Sequence, residues 1–333
     1  MKIAVDAMGG DNAPREIVKG TVSAKRFGHD LVLIGNSDEI NRIAAEEKLD
    51  LSGLEIVHTD EVMTYDDDSK AVLKAKKNSS MGIGLTMLAE GKADAFVSAG
   101  PTGALYMGGT FIVKRIRGIS RPALASVIPG VKGSFLLIDC GANAECRPDA
   151  LLQFGIMGSL YMKLVMNVED PKVALANNGA EPSKGTPLQQ EAYALLQSEK
   201  NINFIGNIEG RDIPFGECDV VVTDGFTGNL ILKTIEGLAS AMIRKLKPVF
   251  YKNTATKLAA AVLKPGLSEF KDSMNASKYG GAPIIGLTKP VIKAHGNSDA
   301  EAIENAVRQA VSWSESGVTE KIESFIASQS DAE

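Results

Sequence analysis

Short apolar runs rich in β-branched residues, most of them closing on Gly, Asp or Asn, alternate along this chain with longer stretches in which apolar residues recur every three or four positions. The short runs predict strands near residues 2–7, 30–35, 54–59, 93–99, 134–139, 172–177, 202–206 and 218–223, and the longer ones predict helices between them. The clearest helix follows Thr227, where Ile231, Ile235, Leu238, Met242, Leu246 and Val249 repeat at helical spacing and are expected to form one buried face. Strand and helix alternating in this way predict an α/β fold of βαβ units around a mostly parallel sheet. No Ser-, Gln- or Pro-rich tract divides the chain, so residues 1–333 are expected to form a single α/β unit whose lobes share one sheet.

Three strand-to-helix turns repeat a plan of apolar strand, small residues and helix. They are Ser98-Ala99-Gly100-Pro101-Thr102-Gly103, Asp139-Cys140-Gly141-Ala142-Asn143 and Thr223-Asp224-Gly225-Phe226-Thr227-Gly228-Asn229. At the carboxyl end of a strand, such a turn offers unpaired N–H groups and the positive end of a helix dipole, which suit an anion. Gly lets the backbone come close, and Thr and Asn add short hydrogen-bonding side chains. A fourth element, Asn177-Asn178-Gly179-Ala180-Glu181-Pro182-Ser183-Lys184-Gly185-Thr186, adds a cation but is not a Walker loop, because Gly185 stands where Ser or Thr would follow the lysine. The first strand runs into Asp6-Ala7-Met8-Gly9-Gly10-Asp11, and His295 lies between a strand and a helix beside Gly296. Asp6, Asp11 and His295 are therefore further candidates for the site.

Composition narrows the function. With 44% hydrophobic and 23% charged residues, the chain has the make-up of a globular protein with a large core. Its net charge of -5 disfavours nucleic acid as the main partner. Cys140, Cys146 and Cys218 form no Cys-x-x-Cys pair and His29, His58 and His295 are scattered, so no metal-ligand spacing is present. An odd cysteine count suits a reducing cytosol. The sequence opens on a strand rather than an export segment, and no apolar run reaches the ~18 residues of a membrane span. Membrane contact is expected to be peripheral.

Taken together, Val5-Asp6-Ala7-Met8-Gly9-Gly10-Asp11, Ser98-Ala99-Gly100 with Thr102-Gly103-Ala104-Leu105, Asp139 with Gly141-Ala142-Asn143, Phe204-Ile205-Gly206-Asn207 with Glu209-Gly210-Arg211-Asp212, Thr223 through Asn229, Tyr279-Gly280-Gly281-Ala282-Pro283 and Lys293-Ala294-His295-Gly296 closely resemble the bacterial phosphate acyltransferases of phospholipid synthesis. The resemblance runs from residue 2 to about residue 310. It implies transfer of a long-chain acyl group from acyl carrier protein to inorganic phosphate, giving the acyl phosphate that a membrane glycerol-3-phosphate acyltransferase then uses. It also implies a cytoplasmic homodimer, no cofactor, and a three-layer α/β/α fold like that of the isocitrate and isopropylmalate dehydrogenases. Two positions depart from the family: Pro101 replaces a usual Asn, so no side-chain role carries over there, and Glu145 replaces an Asp.

Attack of phosphate on a thioester needs an anion cradle, an oxyanion donor and an apolar slot, but no protein nucleophile. The absence of a Gly-x-Ser-x-Gly elbow fits that chemistry. Lys184 is expected to meet phosphate charge and Asn229 to hydrogen-bond phosphate or the developing oxyanion. Gly100, Thr102, Gly103, Asn143, Gly225, Thr227 and Gly228 are expected to complete the cradle. A short-chain phosphate acetyltransferase and a non-enzymatic fatty-acid-binding protein are the alternatives. A dehydrogenase is disfavoured, because Gly82-Ile83-Gly84 lacks the third glycine of a dinucleotide fingerprint.

Charge is segregated near the C-terminal third. Seven Lys and Arg between residues 244 and 272 meet only Glu269 and Asp272, leaving +5 there and -10 elsewhere. Within residues 244–274 the pattern predicts a projecting amphipathic hairpin broken at Pro265-Gly266. Its apolar residues Leu258, Val262, Leu263, Leu267 and Phe270, flanked by Lys257 and Lys264, suit an anionic membrane surface or acyl carrier protein. Packing against a dimer partner is the other reading.

Overall fold

The computed structural model describes residues 1–273 and 276–330. In chain order the regular elements are β1 (Lys2–Asp6), α1 (Arg15–Ala24), β2 (Asp30–Gly35), α2 (Ser37–Glu47), β3 (Leu54–His58), α3 (Ser80–Ala89), β4 (Ala95–Ser98) and α4 (Thr102–Gly108). There follow β5 (Ala123–Gly130), β6 (Gly133–Ile138), α5 (Pro148–Leu164), β7 (Lys172–Asn177), α6 (Pro187–Ser198), β8 (Asn203–Glu209) and β9 (Val220–Val222). The chain continues through α7 (Gly225–Phe250), α8 (Thr254–Ser273), β10 (Ala282–Ile285), β11 (Val291–Lys293), α9 (Ala300–Ser316) and α10 (Val318–Ser330).

All eight predicted strands form, with ends moved by up to three residues. Three more escaped the apolar-run pattern. β11 holds only three residues, β10 begins with Ala and Pro after two glycines, and β5 mixes Ala and Ser into its run and ends on Pro-Gly.

The strands join in one sheet of order β3-β2-β1-β4-β11-β10-β5-β6-β9-β7-β8. Strands carry apolar side chains on both faces, which makes three layers. In β1, Ile3 and Val5 enter one core and Ala4 the other; in β6, Leu136 and Ile138 face opposite to Phe135 and Leu137. One core is covered by α1, α2, α5, α6, α9 and α10, the other by α3, α4 and the first turns of α7. The α/β/α expectation therefore holds, and strands buried on both faces, such as β4 and β9, explain the runs that read as continuous.

Ladders are parallel except in the centre, where β11–β10, β10–β5 and β5–β6 are antiparallel. Three reversals leave β6, β9, β7 and β8 running opposite to β1, β2, β3, β4 and β11. The two sets of strand ends do not share one sheet edge, as a uniformly parallel sheet would require. They approach each other across β10 and β5, and the cleft that carries the site lies there.

Two expectations about α7 and α8 are corrected. Ile231 and Ile235 are half-buried against the core, but Leu238, Met242, Leu246 and Val249 are 60%, 57%, 43% and 59% exposed, because α7 has by then run past the sheet. The expected break at Pro265-Gly266 is absent. The chain turns at residues 251–253, and α8 continues through Pro265. Leu258, Val262 and Leu263 are exposed, as are Lys257 and Lys264, whereas the side chains of Leu267 and Phe270, and Met274, lie outside the described residues.

Candidate active site

The turn after β6 is organised by the buried carboxylate of Asp139. Its Oδ1 accepts N–H groups from Leu124 at 3.0 Å, Ala142 at 3.2 Å and Gly141 at 3.3 Å, and its Oδ2 accepts the Asn143 backbone N–H at 2.6 Å and Nδ2 at 2.9 Å. Burial pushes this carboxyl above the usual carboxylate range, while the N–H donors pull the other way. The start of α7 then docks on the turn. Gly225 donates its N–H to the Asn143 carbonyl at 2.7 Å, and a Cβ at Gly228 would stand 1.9 Å from the Asp139 carbonyl oxygen. Only glycine permits that approach. The Asp224 side chain caps α7, accepting from the Thr227 N–H at 2.8 Å and its hydroxyl at 2.7 Å.

Beside this junction is a cavity of about 350 Å³. Leu124, Ser126 and Val127 of β5 and Ala282 of β10 form its floor, Asn229, Leu232, Lys233 and Glu236 of α7 one wall, and Cys140 and Gly141 an end. Thr102, Gly280, Gly281, Lys293 and His295 close the opposite side. A second cavity of about 370 Å³ lies across the first turns of α7, lined by Thr227 and Ile231 with Asn177, Asn178, Gly185, Thr186, Gln189 and Ile213.

The residues singled out from sequence thus separate into three groups. Thr102, Asn229 and His295 come together on the first cavity. Several others brace it instead of lining it. Gly100 donates its N–H to Ser98 Oγ at 3.0 Å, Gly228 donates to the Asp224 carbonyl at 2.9 Å, and the Gly225 and Thr227 N–H groups are committed as described. Asn143 has both side-chain ends occupied: Nδ2 also donates to the Pro122 carbonyl at 2.8 Å, and Oδ1 accepts from the Tyr106 hydroxyl at 2.9 Å. Asp6 is buried and accepts from Ser98 Oγ at 2.7 Å, with burial raising its pKa. The backbone N–H groups of Gly100, Gly225, Thr227 and Gly228 are thus bonded within the fold.

The third group lies apart. Gly103 is exposed, and a Cβ there would meet Ser69 Oγ at 2.4 Å. Asp11 is exposed, its N–H donating to the Gly296 carbonyl at 2.7 Å. Lys184 is exposed in the loop after β7, its stem lying over Gly179; its neighbours Gly185 and Thr186 line the second cavity, and it lines neither.

Lys233, Glu236 and Lys293 were missed as individual residues. Lys293 is 7% exposed. Burial lowers its pKa to about 8, with Asp11 and Asp6 opposing and Lys233 reinforcing the shift. Its appearance inside a matched motif was the available signal. Lys233 and Glu236 pair at 2.7 Å on a helix read for its apolar face alone.

A family described as "Fatty acid synthesis protein" matches residues 1–321. A phosphate acyltransferase of Alkaliphilus oremlandii is 48% identical over 100% of this chain and 99% of that protein. The chain belongs to this family. A phosphotransacetylase from Streptococcus pyogenes shares the fold, with a TM-score of 0.64 at 18% identity over 94% of both chains. So does a protein described as a 4-hydroxythreonine-4-phosphate dehydrogenase from Salmonella typhimurium, with a TM-score of 0.54 at 14% identity over 93% of this chain and 98% of that one. Phosphate acyltransferases thus share their layered sheet with proteins of other activities, and the chemistry has to be read from the cavity.

His295 supplies a test of the cavity's electrostatics. Its pKa lies below the ordinary 6.5, first because the surroundings desolvate the ring and next because Lys233 stands near. These surroundings favour the neutral imidazole. An NMR titration of its ring proton should give a midpoint below 6.5, and a midpoint above that value would contradict the arrangement.

Proposed function

We propose that this acyltransferase moves a long-chain acyl group from the thioester of acyl carrier protein to inorganic phosphate in the first cavity. The observation that carries the reading is a single cleft joining hydrogen-bonding and cationic groups at Thr102, Asn229, His295 and Lys293 to an apolar lining at Leu124, Val127, Leu232 and Ala282. A phosphate oxygen attacks the thioester carbon, the C–O bond forms, the C–S bond breaks, and the carrier thiolate leaves. Asn229 is assigned to hydrogen bonding of phosphate or the developing oxyanion, an interaction that strengthens as charge builds up. Lys184, which lines neither cavity, is assigned to attracting phosphate charge toward the site from the exposed loop after β7. The relative's name, phosphate acyltransferase, supports the acceptor, and the family description, fatty acid synthesis, supports the long acyl chain.

We further assign the exposed apolar positions of α7 and α8 to interfaces of a peripheral homodimer. Among the described residues no helix is long and apolar enough to cross a membrane. Leu258 at 67% and Val262 at 81% exposure, beside Lys257 and Lys264, suit the anionic inner face of the plasma membrane. There the labile acyl phosphate would be passed to a membrane glycerol-3-phosphate acyltransferase.

With purified protein and palmitoyl carrier protein, thioester consumption should saturate with phosphate, and hydroxylamine should trap acyl phosphate. Lys184→Ala and Asn229→Ala should each slow turnover by about ten- to a thousandfold, the range for losing one stabilising contact. Near-normal turnover in either variant would remove that residue from the mechanism. Leu258→Glu combined with Val262→Glu should abolish sedimentation with phosphatidylglycerol vesicles and leave turnover intact. Undiminished vesicle binding would exclude the membrane assignment, and dissociation to monomers would assign these positions to the subunit contact.

A further inference from the structure

Lys293 ends β11, in register with Ser98 of β4, and Ser98 in turn bonds to Asp6 at the end of β1. Three adjacent strands thus set an acid, a hydroxyl and an amine in a row at one edge of the sheet. Lys293 lines the first cavity. Its Nζ donates to the Ala99 carbonyl at 3.2 Å and to the Ala294 carbonyl. An ammonium has three donors, so these bonds leave one for a ligand.

The two lysines of the cavity differ in their compensation. Lys233 is held by Glu236 at 2.7 Å and opens to solvent. Lys293 is buried and forms no ion pair among the described residues. The nearest acids act on it only at longer range: Asp6 on β1 and Asp11 in the loop behind it, with Lys233, Glu236 and His295 on the cavity side. A cation taken out of water without a carboxylate in contact is costly unless something anionic completes it. Carbonyl oxygens compensate part of that cost, and a dianionic ligand in the cavity would compensate the rest.

We propose that Lys293 is a further catalytic residue, whose ammonium binds the incoming phosphate in the first cavity and holds it facing Asn229. The proposal rests on the phosphate acyltransferase reading of that cavity. Lys293 keeps its proton throughout the reaction: the phosphate lone pair forms the C–O bond and the carrier sulfur takes the C–S electrons. The ammonium's part is to fix the nucleophile and to offset its charge in a partly apolar cleft. Because burial holds its pKa near 8, phosphate binding should weaken as pH rises through that value and the ammonium loses its proton.

Steady-state kinetics of the full-length protein tests this. Lys293→Met, similar in volume and uncharged, should raise the KM for phosphate by roughly ten- to a hundredfold, the range for losing one hydrogen bond to a charged group. The KM for the acyl carrier protein should stay unchanged. Lys293→Arg, which keeps charge and donors, should restore much of the phosphate affinity and move the alkaline fall in kcat/KM for phosphate above its wild-type position. An unchanged phosphate KM in Lys293→Met, or a loss of kcat and thermal stability alone, would overturn the assignment and leave Lys293 a structural residue. If Lys293→Met fails to fold, an alkaline limb in Lys293→Arg identical to wild type would overturn it equally. Phosphate-independent thioester loss by the wild-type protein would instead overturn the activity itself.

Discussion

The site depends on one buried carboxylate. Asp139 gathers five N–H donors from the start of β5 and from its own turn, and the first residues of α7 rest on that turn. Leaving one buried donor unpaired costs about 1–3 kcal/mol, so the five together fix where α7 begins. That in turn sets Asn229, Leu232, Lys233 and Glu236 along the cavity wall. Glycine at 225 and 228 is required by the same contact, since a Cβ at either would press into the turn at 2.7 Å or less. Two glycines that look like phosphate binders in sequence are therefore what lets α7 set the neighbouring Asn229 on the cavity wall.

The reversal of the sheet explains why the cleft is where it is. Antiparallel pairing through β10 and β5 turns the two halves against each other, so that the turn after β6 and the ends of β4 and β11 meet over one floor. A uniformly parallel sheet would place these turns in a line along one edge. Here they converge, and polar groups from four separate stretches of chain surround one apolar patch.

Much of this was legible beforehand. Eight of the strands follow from their apolar, β-branched runs, and the three chemical turns follow from Gly, Asn and Thr placed after them. What the turns contribute individually was not legible. A sequence shows that Gly100, Asn143, Gly225, Thr227 and Gly228 can offer hydrogen bonds, but whether a given N–H faces a ligand or a neighbouring carbonyl is decided by tertiary contact. Lys293 was hidden for a similar reason, because a lysine after two β-branched residues reads as a solvent-facing strand end. The α7 stripe misled in the opposite direction: helical periodicity identifies an apolar face but does not say whether the sheet extends far enough to cover it.

Cys140 is the thiol of the cavity lining, and a thiol could contest direct attack by phosphate. It is buried, and burial, with Asp139 adding to it, holds its thiol well above the ordinary range, which suits a small packing residue better than a thiolate. Direct attack can be measured in a single turnover with carrier protein bearing a radiolabelled acyl group, quenched in acid first without phosphate and then with it. The account predicts no label on the protein chain in either quench and full conversion to acyl phosphate once phosphate is present. Label bound covalently to the chain, at Cys140 or elsewhere, that phosphate then releases as acyl phosphate would contradict it.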